Sequence, residues 1–394
     1  MPLPPCTDAG DRLIVCLSHL RWSFVHQRPQ HLLVRAARGG RVLFVEEPVF
    51  EAGAVPRIEL RPQPSGVVVC VPVLPPSAEP AAVEVLRGLL DGLLAGRPGD
   101  PLVLWYYTPM ALAFTDHLAP DAVVYDCMDE LSGFRGAAAG LRAMEQRLFD
   151  RADLVFAGGA SLYEAKRHRH HAVHAFPSSI DAAHFARARG PVADPPGQAG
   201  IPRPRLGWFG VIDERMDLDL VAGVADRRPD WQLVMVGPVV KIDPASLPRR
   251  ANVHWIGPRD YSDLPDHLAG WDVGIMPFAL NEATRYISPT KTPEFLAAGV
   301  PVVSTPVADV ARPWGEAGLV EIAATAEATV ERAAALMARP RGPWLERVDR
   351  RLATMSWDRT WAAMDARLAE ALAAGAPGAP PTGSATVAAG TARV

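Results

Sequence analysis

The sequence predicts an α/β protein of two Rossmann-like, doubly wound domains that face each other across a cleft. Its 394 residues are enough for two domains of ordinary size, each with its own core. Apolar runs of strand length alternate with helix-length segments, and this alternation starts again at Arg205. A Pro- and Gly-rich span, 190–204, separates the two patterns. We therefore expect an N-terminal domain at 1–190, a linker at 191–204 and a C-terminal domain at 205–343.

Compact apolar runs define the expected strands, and amphipathic segments define the expected helices. In the first domain these are strands 12–17, 41–46, 67–73, 102–107, 122–125 and 153–157, and helices 81–94, 141–149 and 161–166. In the second they are strands 206–211, 232–237, 252–256 and 300–304, and helices 217–225 and 326–338. A final helix at 344–374 follows, which Trp357 and Trp361 are expected to pin to the body of the protein. The tail, 375–394, has almost no charge and little to bury, so we expect it to be disordered.

Composition narrows the classes of function and location. A net charge of −4 provides no global attraction to nucleic acid, so no nucleic-acid partner is expected. The four cysteines lack the spacing of a zinc site or a disulfide framework. No signal peptide is recognised, and no apolar run approaches the roughly 18 residues of a membrane helix. We expect a cytoplasmic protein without a transmembrane segment, and peripheral contact with a membrane stays open.

The stretch 281–305 carries the strongest functional signal because it predicts a loop, a helix and a buried strand in quick succession. Ser288, Pro289 and Thr290 lead into Lys291, so two hydroxyls and an ammonium would lie at the helix start, where an anion also meets free backbone N–H groups. Glu294 could accept hydrogen bonds from the hydroxyls of a ribose. Together these groups predict a site for a nucleotide diphosphate. The alternative is an ordinary connection whose Lys and Glu are solvated.

A known family shares this pattern. The helix that opens with Glu294 and continues through Leu-Ala-Ala-Gly-Val-Pro-Val-Val resembles the donor-nucleotide motif of retaining GT-B glycosyltransferases of family 4. The longer run, 281–306, resembles the teichuronic-acid-type branch. The resemblance implies a GT-B fold, a terminal helix that crosses back to the first domain, and sugar transfer with retention. The nucleotide diphosphate sugar is then a co-substrate, and no cofactor is expected. Tyr286 stands where most of the family has a further glutamate, so either Glu282 or the backbone of 287–290 would replace it.

The resemblance also assigns donor-binding roles elsewhere in the second domain. The family places a basic residue in the loop 212–216, and Arg215 is the candidate here, able to fork two phosphate oxygens. Gly210, Gly257 and Tyr261 are assigned to the donor site as well, with the base near 257–261. We expect Lys291 and Arg215 to be catalytic because they would stabilise negative charge on the leaving diphosphate.

Two segments of the first domain are candidates for contact with the acceptor, which would be a hydroxyl-bearing glycan, lipid or small molecule. His19, Trp22, His26 and Arg28 follow the first strand, where loops of a doubly wound sheet line the ligand crevice. Asp126 and Asp129 crowd the end of a later strand together with Glu130, and the resemblance places them beside the sugar and acceptor. We expect both aspartates to be catalytic. The alternative is that these acids cap the next helix or are solvated.

No metal site is expected, and three other functions stay open. The histidines of 166–174 share no helical face with a carboxylate, and Asp217-Leu218-Asp219 starts an amphipathic helix. A nucleotide-sugar epimerase of the same fold would bind the same donor, and a binding-only homologue would not turn it over. A nicotinamide oxidoreductase would need a glycine fingerprint that does not follow any expected strand.

Overall fold

The computed structural model describes residues 12–96 and 99–375, and these form two parallel β-sheets, one after the other in the chain. The expected tail lies outside the described residues, apart from Gly375. In the first sheet the strand order is β3-β5-β2-β1-β6-β7-β8-β9, with β4 paired antiparallel to β5. Its strands are β1 Leu13–Leu17, β2 Arg41–Val45, β3 Val49–Phe50, β4 Arg57–Pro62, β5 Val68–Leu74, β6 Leu102–Tyr106, β7 Ala122–Cys127, β8 Leu154–Ala157 and β9 Val173–Ala175.

Helices connect and cover this sheet, and five of its strands are buried along their whole length, as expected for a parallel sheet with both faces covered. The helices are α1 Arg28–Ala36, α2 Ala82–Leu94, α3 Leu112–Thr115, α4 Leu141–Arg151, α5 Ala160–Lys166 and α6 Ala182–Ala186. The sequence did not predict β4, because only Ile58 and Leu60 alternate there with charged residues. Helix α5 begins at Ala160, one residue before the expected start, and Gly159 precedes it without a side chain to cap it.

The second sheet has six strands, and its pairs are all parallel, in the order β12-β11-β10-β13-β14-β15. Its strands are β10 Arg205–Phe209, β11 Gln232–Val236, β12 Val253–Gly257, β13 Val273–Met276, β14 Val302–Ser304 and β15 Glu321–Ile322. Its helices are α7 Leu218–Arg227, α8 Leu264–Ala269, α9 Lys291–Ala297, α10 Ala308–Val310, α11 Ala326–Ala338 and α12 Gly342–Leu352. From β10 the sheet grows to one side through β11 and β12 and to the other side through β13, β14 and β15. The strand order therefore reverses between β10 and β13, and a crevice opens at the ends of these two strands.

The last helix, α13 Trp357–Gly375, returns to the first sheet. Trp357, Met364 and Leu368 are each at most 1% exposed and belong to the core around β1, β6 and β8. The ring of His31, in α1, stacks on Trp357 with 4.6 Å between centroids. The protein thus has two halves, one built on the first sheet and one built on the second. The chain crosses between them twice, once near residue 190 and again before Trp357.

The segment between the sheets is packed, although its composition is that of a flexible linker. Gln198 is 0% exposed, and its Oε1 accepts a hydrogen bond from the indole N–H of Trp271 at 2.8 Å. Asp194 receives both a guanidinium bond from Arg205 at 2.8 Å and a side-chain amide bond from Gln198 at 3.1 Å. These contacts tie the segment to the second sheet.

Candidate active site

Two glycines flank α9, one beyond its end and one beside its first residue. Gly299 has φ +76 and follows the helix, as is common for a residue that ends a helix in the left-handed region. Gly210 has φ +125 and follows β10; a Cβ placed there would lie 2.6 Å from the Nζ of Lys291. Glycine at this position therefore leaves room for the Lys291 side chain to reach across the end of β10.

A cavity of about 340 Å³ lies between the two halves at the ends of β10 and β11. We call it the larger cavity because a smaller one adjoins it. One side comes from the loop after β1, and the opposite side comes from the second sheet and the start of α9. Its lining includes Trp22, Ser23, Phe24, Val25, His26, Gln27, Phe209, Gly210, Val211, Arg215, Val236, Gly237, Pro238, Pro258, Arg259, Asp260, Tyr261, Leu264, Thr290, Lys291 and Glu294. This volume falls within the range of small-molecule sites.

A smaller cavity of about 90 Å³ adjoins it and is also formed by both halves. Its lining is Gln27, Arg28, Met128, Asp129, Gly158, Ser178, Arg215, Phe278, Ile287, Ser288, Pro289, Thr290 and Lys291. Gln27, Arg215, Thr290 and Lys291 line both cavities. The two cations therefore stand at the boundary between them, where a ligand that extends from one cavity into the other would pass.

Lys291 and Arg215 differ in how the protein balances their charge. Arg215 forks the carboxylate of buried Asp213 with bonds of 3.0 and 2.7 Å, and its guanidinium lies 5.4 Å from the ring centre of Phe134. Lys291 Nζ lies 4.9 Å from the Trp208 ring, and no carboxylate of the described chain comes within 4.0 Å of it. Burial lowers the pKa of Lys291, and the nearby Arg215 lowers it further. An added anion would relieve this imbalance.

Two carboxylates face the cations from opposite sides. Glu294 is 5% exposed and lines the larger cavity; burial raises its pKa, while Lys291 lowers it. Asp129 is half-buried in the smaller cavity, on the side of the first sheet. Burial raises the pKa of Asp129 to about 6, against the opposing effect of Arg215, Arg28 and Lys291. Both acids therefore lie within the electrostatic reach of Lys291, and neither has an ion pair of its own within the described chain.

Asp126 and Arg28 form a closed ion pair instead of facing a ligand, which differs from the roles expected of them. Asp126 is 0% exposed, and both Nε and Nη2 of Arg28 donate to it at 2.8–3.2 Å. Nη1 of Arg28 donates to the carbonyl of Phe176 at 2.7 Å, so all three guanidinium nitrogens are engaged. Arg28 touches the smaller cavity, and each of its guanidinium nitrogens already donates to an acceptor within the protein. The pair ties α1 to β7 and to the segment after β9. The positive charge of Arg28 also lowers the pKa of Asp129.

The other expected residues fall into two groups. Trp22, expected at the acceptor, lines the larger cavity with Gly210 and Tyr261, and its ring packs against Phe44. His19 and Gly257 line neither cavity. Burial and the neighbouring Lys241 lower the pKa of His19 to about 4. Gly257, with φ +79, accepts the backbone N–H of Gly237 at 2.9 Å and so shapes the loop toward Tyr261.

Tyr286 and Glu282 lie away from both cavities. Tyr286 packs, half-buried, against the core of the first sheet, with the guanidinium of Arg285 5.2 Å from its ring centre. The side chain of Glu282 is 77% exposed. Ile287, Ser288, Pro289 and Thr290 are the residues of this loop that line the smaller cavity. The segment 287–290, unlike Glu282, therefore borders the smaller cavity.

Three residues in or beside the cavities were not expected from the sequence. Gln27 touches both cavities, Asp213 orients Arg215, and the ring of His184 stacks on Tyr261 with 4.3 Å between centroids. His26, which was expected in the ligand crevice, lines the larger cavity and stacks on Tyr261 at 4.2 Å. The only available signal was position, since Gln27 follows a strand and Asp213 lies two residues before Arg215. Histidines 26 and 184 come from the first half, so Tyr261 is held by contacts that sequence spacing does not reveal.

Two further observations concern metals and membranes. Among the residues that the structure describes, no group of three or more His, Cys, Asp or Glu side chains could hold a metal ion. Within 12–96 and 99–375, none of the helices combines the length and the apolar character needed to span a bilayer.

Residues 204–339 match a family model described as "Glycosyl transferases group 1". The chain is also 31% identical over 244 residues to TuaH of Bacillus subtilis (strain 168), whose name assigns it to teichuronic acid biosynthesis as a glycosyltransferase. That alignment covers 56% of this chain and 59% of TuaH, so the chain spans less than two thirds of that relative.

Solved structures of glycosyltransferases share the whole architecture. Sucrose-phosphate synthase from Thermosynechococcus elongatus superposes with a TM-score of 0.66 at 16% identity, covering 92% of this chain and 100% of that one. The UDP-forming α,α-trehalose-phosphate synthase from Burkholderia xenovorans, in complex with glucose-6-phosphate, gives 0.62 at 13% identity, covering 91% and 99%. At such identities the likeness concerns the fold alone. The predicted fold class, GT-B, is confirmed.

Proposed function

We propose that this chain is a glycosyltransferase that moves a sugar from a nucleotide diphosphate sugar to a hydroxyl of an acceptor, with retention and without a bound metal. The observation that carries the proposal is the position of Lys291 and Arg215 at the boundary of two cavities that both halves line. As the glycosidic bond breaks, negative charge grows on the leaving diphosphate. Two fixed cations at that boundary would stabilise this charge without reorganising.

The two cavities suit the two ends of such a donor. In the larger cavity the nucleoside would lie near Tyr261, with the ribose hydroxyls donating to Glu294. In the smaller cavity the sugar would lie against Ser288, Pro289 and Thr290. Asp129 would face it from the first half and accept a hydrogen bond from the sugar or from the acceptor hydroxyl. The diphosphate then spans the boundary, where Arg215 can fork two of its oxygens.

Retention gives a balanced step in this arrangement. The acceptor oxygen attacks the anomeric carbon from the face that the diphosphate leaves, so the carbon–acceptor bond forms where the carbon–phosphate oxygen bond breaks. The acceptor proton passes to the leaving phosphate oxygen. The name of TuaH favours a cell-surface polysaccharide as the acceptor, ahead of a glycolipid or a secondary metabolite.

The test is turnover of UDP- and GDP-sugars with and without a cell-wall glycan preparation, with the anomeric configuration of the product read by NMR. We expect nucleotide release that requires the acceptor, and an axial donor that gives an axial product. Nucleotide release without any acceptor would indicate an epimerase instead. Binding of the donor without turnover would indicate a binding-only protein.

Metal independence is tested in the same assay. Because Lys291 and Arg215 already provide positive charge to the diphosphate, EDTA should change the rate little. Loss of activity in EDTA, with recovery on adding magnesium or manganese, would contradict this part of the proposal.

A further inference from the structure

A third cavity, the rear cavity, lies behind the loop that walls the smaller cavity. Its volume is about 360 Å³. Its lining is Ala160, Pro177, Ser178, Ser179, Ser288, Pro289, Pro293, Asp309, Pro313, Trp314, Arg351, Thr354, Met355, Ser356, Arg359 and Thr360. Ser178, Ser288 and Pro289 line the smaller cavity as well. The two cavities are therefore separated by a wall that is only one loop thick.

Two positive charges and one negative charge line the rear cavity, so its net charge is positive. Arg351 and Arg359 both line it, both are exposed, and neither has a carboxylate within 4.0 Å in the part of the chain that the structure describes. Asp309 is the acid in the lining, and its Oδ1 already accepts the backbone N–H of Ser161 at 2.9 Å. Two guanidinium groups thus face solvent in a concave site, which favours an anionic ligand.

The remaining lining indicates the kind of anion. The guanidinium of Arg351 lies 5.4 Å from the ring centre of Trp314, so its donors are held over an aromatic surface. Trp314, Met355 and four prolines add apolar surface to the lining, and Thr354 and Thr360 also belong to it. A phosphate held by the arginines, attached to a compact body such as a sugar ring, fits this combination.

The rear cavity is also formed by both halves of the protein. Ser178 Oγ donates to the carbonyl of Ser288 at 2.8 Å, and this bond joins the segment after β9 to the loop that precedes α9. A Cβ added at Gly159 would lie 2.8 Å from the Cβ of Ser288, so the halves touch closely there. A ligand behind this wall would contact both halves and favour the arrangement in which Ser288 and Pro289 close the smaller cavity.

We propose that the rear cavity binds a small phosphorylated molecule, distinct from the donor, through Arg351 and Arg359, and that this ligand strengthens nucleotide binding in the larger cavity. Binding at the rear cavity stands independently of the proposed function. The coupling rests on the proposed function, because it assumes that a nucleotide binds in the larger cavity. By linkage, the nucleotide must strengthen binding at the rear cavity by the same factor.

Calorimetric titration with inorganic phosphate and with glucose 1-phosphate tests the binding. Arg351→Ala and Arg359→Ala should each weaken binding at least about tenfold, as expected for loss of a charge-assisted contact. Arg350→Ala is the matched control, because Arg350 is an exposed neighbour outside the lining, and it should bind as the wild type does. Equal affinity in all four proteins, or no binding by the wild type, would overturn the proposal.

Lys291→Ala separates the rear cavity from the donor site, since phosphate could bind at either. We expect glucose 1-phosphate to bind Lys291→Ala as it binds the wild type. Loss of binding in this variant would place the phosphate at the donor site and overturn the proposal.

The coupling is tested by titrating UDP and GDP with and without saturating glucose 1-phosphate. The nucleotide Kd should fall about fivefold or more in the wild type and stay unchanged in Arg359→Ala. An unchanged Kd in the wild type would overturn the coupling. If phosphate binds through Arg359 while neither nucleotide binds at all, the proposed function is wrong, whereas the proposed binding of phosphate in the rear cavity is supported.

Discussion

Two cations near the cleft, Arg28 and Lys291, differ in whether the protein supplies a carboxylate to each of them. Arg28 and Asp126 satisfy each other: they are 2% and 0% exposed, and every guanidinium nitrogen has an acceptor. Lys291 has no carboxylate within 4.0 Å in the described chain, and it lines both cavities. Arg215, which lines both cavities beside it, is paired with Asp213 but keeps 26% of its side chain exposed. A completed pair such as Arg28 and Asp126 holds the scaffold, whereas a cation without a carboxylate leaves an interaction for a ligand to make.

Breaking the completed pair should have the largest effect, and on stability. Arg28→Ala leaves Asp126 as an uncompensated buried charge, so the free energy of unfolding should fall by about 3–5 kcal/mol. Urea denaturation followed by circular dichroism measures this. The double variant Arg28→Met with Asp126→Leu should lose less than Arg28→Ala, because no buried charge is left alone. A loss below about 1 kcal/mol in Arg28→Ala would show that the pair does not hold the scaffold.

Removing the incomplete charge should affect activity rather than stability. Lys291→Ala should cost roughly 2–4 kcal/mol in the transition state, a fall of about 30- to 1,000-fold in kcat. The melting temperature should stay the same or rise, because a buried cation without an ion pair is removed. Lys241→Ala, an exposed lysine outside both linings, is the control. A kcat near that of the wild type with an unchanged melting temperature would show that Lys291 does not contact the phosphates.

Glu294 lies beside Lys291 in the second half, but its expected role is to bind the ribose of the donor and not to stabilise the leaving group. Glu294→Gln should raise the donor KM, by roughly 1–3 kcal/mol at most, because an amide oxygen accepts more weakly from ribose hydroxyls than a carboxylate does. Steady-state kinetics with varied donor measures this. A collapsed kcat with an unchanged KM would instead make Glu294 part of the chemistry.

The smallest effect is expected from pH, through Asp129, whose pKa is raised to about 6 by burial. Folding favours its protonated form, so this carboxyl should lower the stability as pH rises from its ordinary pKa through about 6. Over the same window kcat/KM should increase as the carboxylate forms. Asp129→Asn should weaken both trends and leave the part due to Glu294, whose pKa burial also raises, which a pH series of melting temperatures and rates would reveal. A wild-type rate profile that is flat between pH 5 and 7 would contradict an ionised Asp129 in the reaction.

The sequence predicted what depends on local pattern. β6 Leu102–Tyr106 is a continuous apolar run and is buried throughout, and α9 follows its Ser/Pro/Thr loop as expected. It could not predict which charges pair, because Arg28 finds Asp126 98 positions away through the packing of α1 on β7. Loop position gave the correct edge of the sheet for Trp22 but not the cavity that it lines. Which charges a fold completes depends on tertiary contacts that neither spacing nor composition records.

Nucleotide affinity tests the division between the two halves most directly. UDP and GDP are titrated into the wild type, Lys291→Ala and Asp129→Asn, and the Kd is measured by calorimetry. We expect Lys291→Ala to weaken binding of the diphosphate more than about tenfold. Asp129→Asn should bind the nucleotide as the wild type does while transferring sugar more slowly. If Asp129→Asn loses nucleotide affinity as strongly as Lys291→Ala, the two halves do not divide donor from acceptor, and the proposed roles of both residues are wrong.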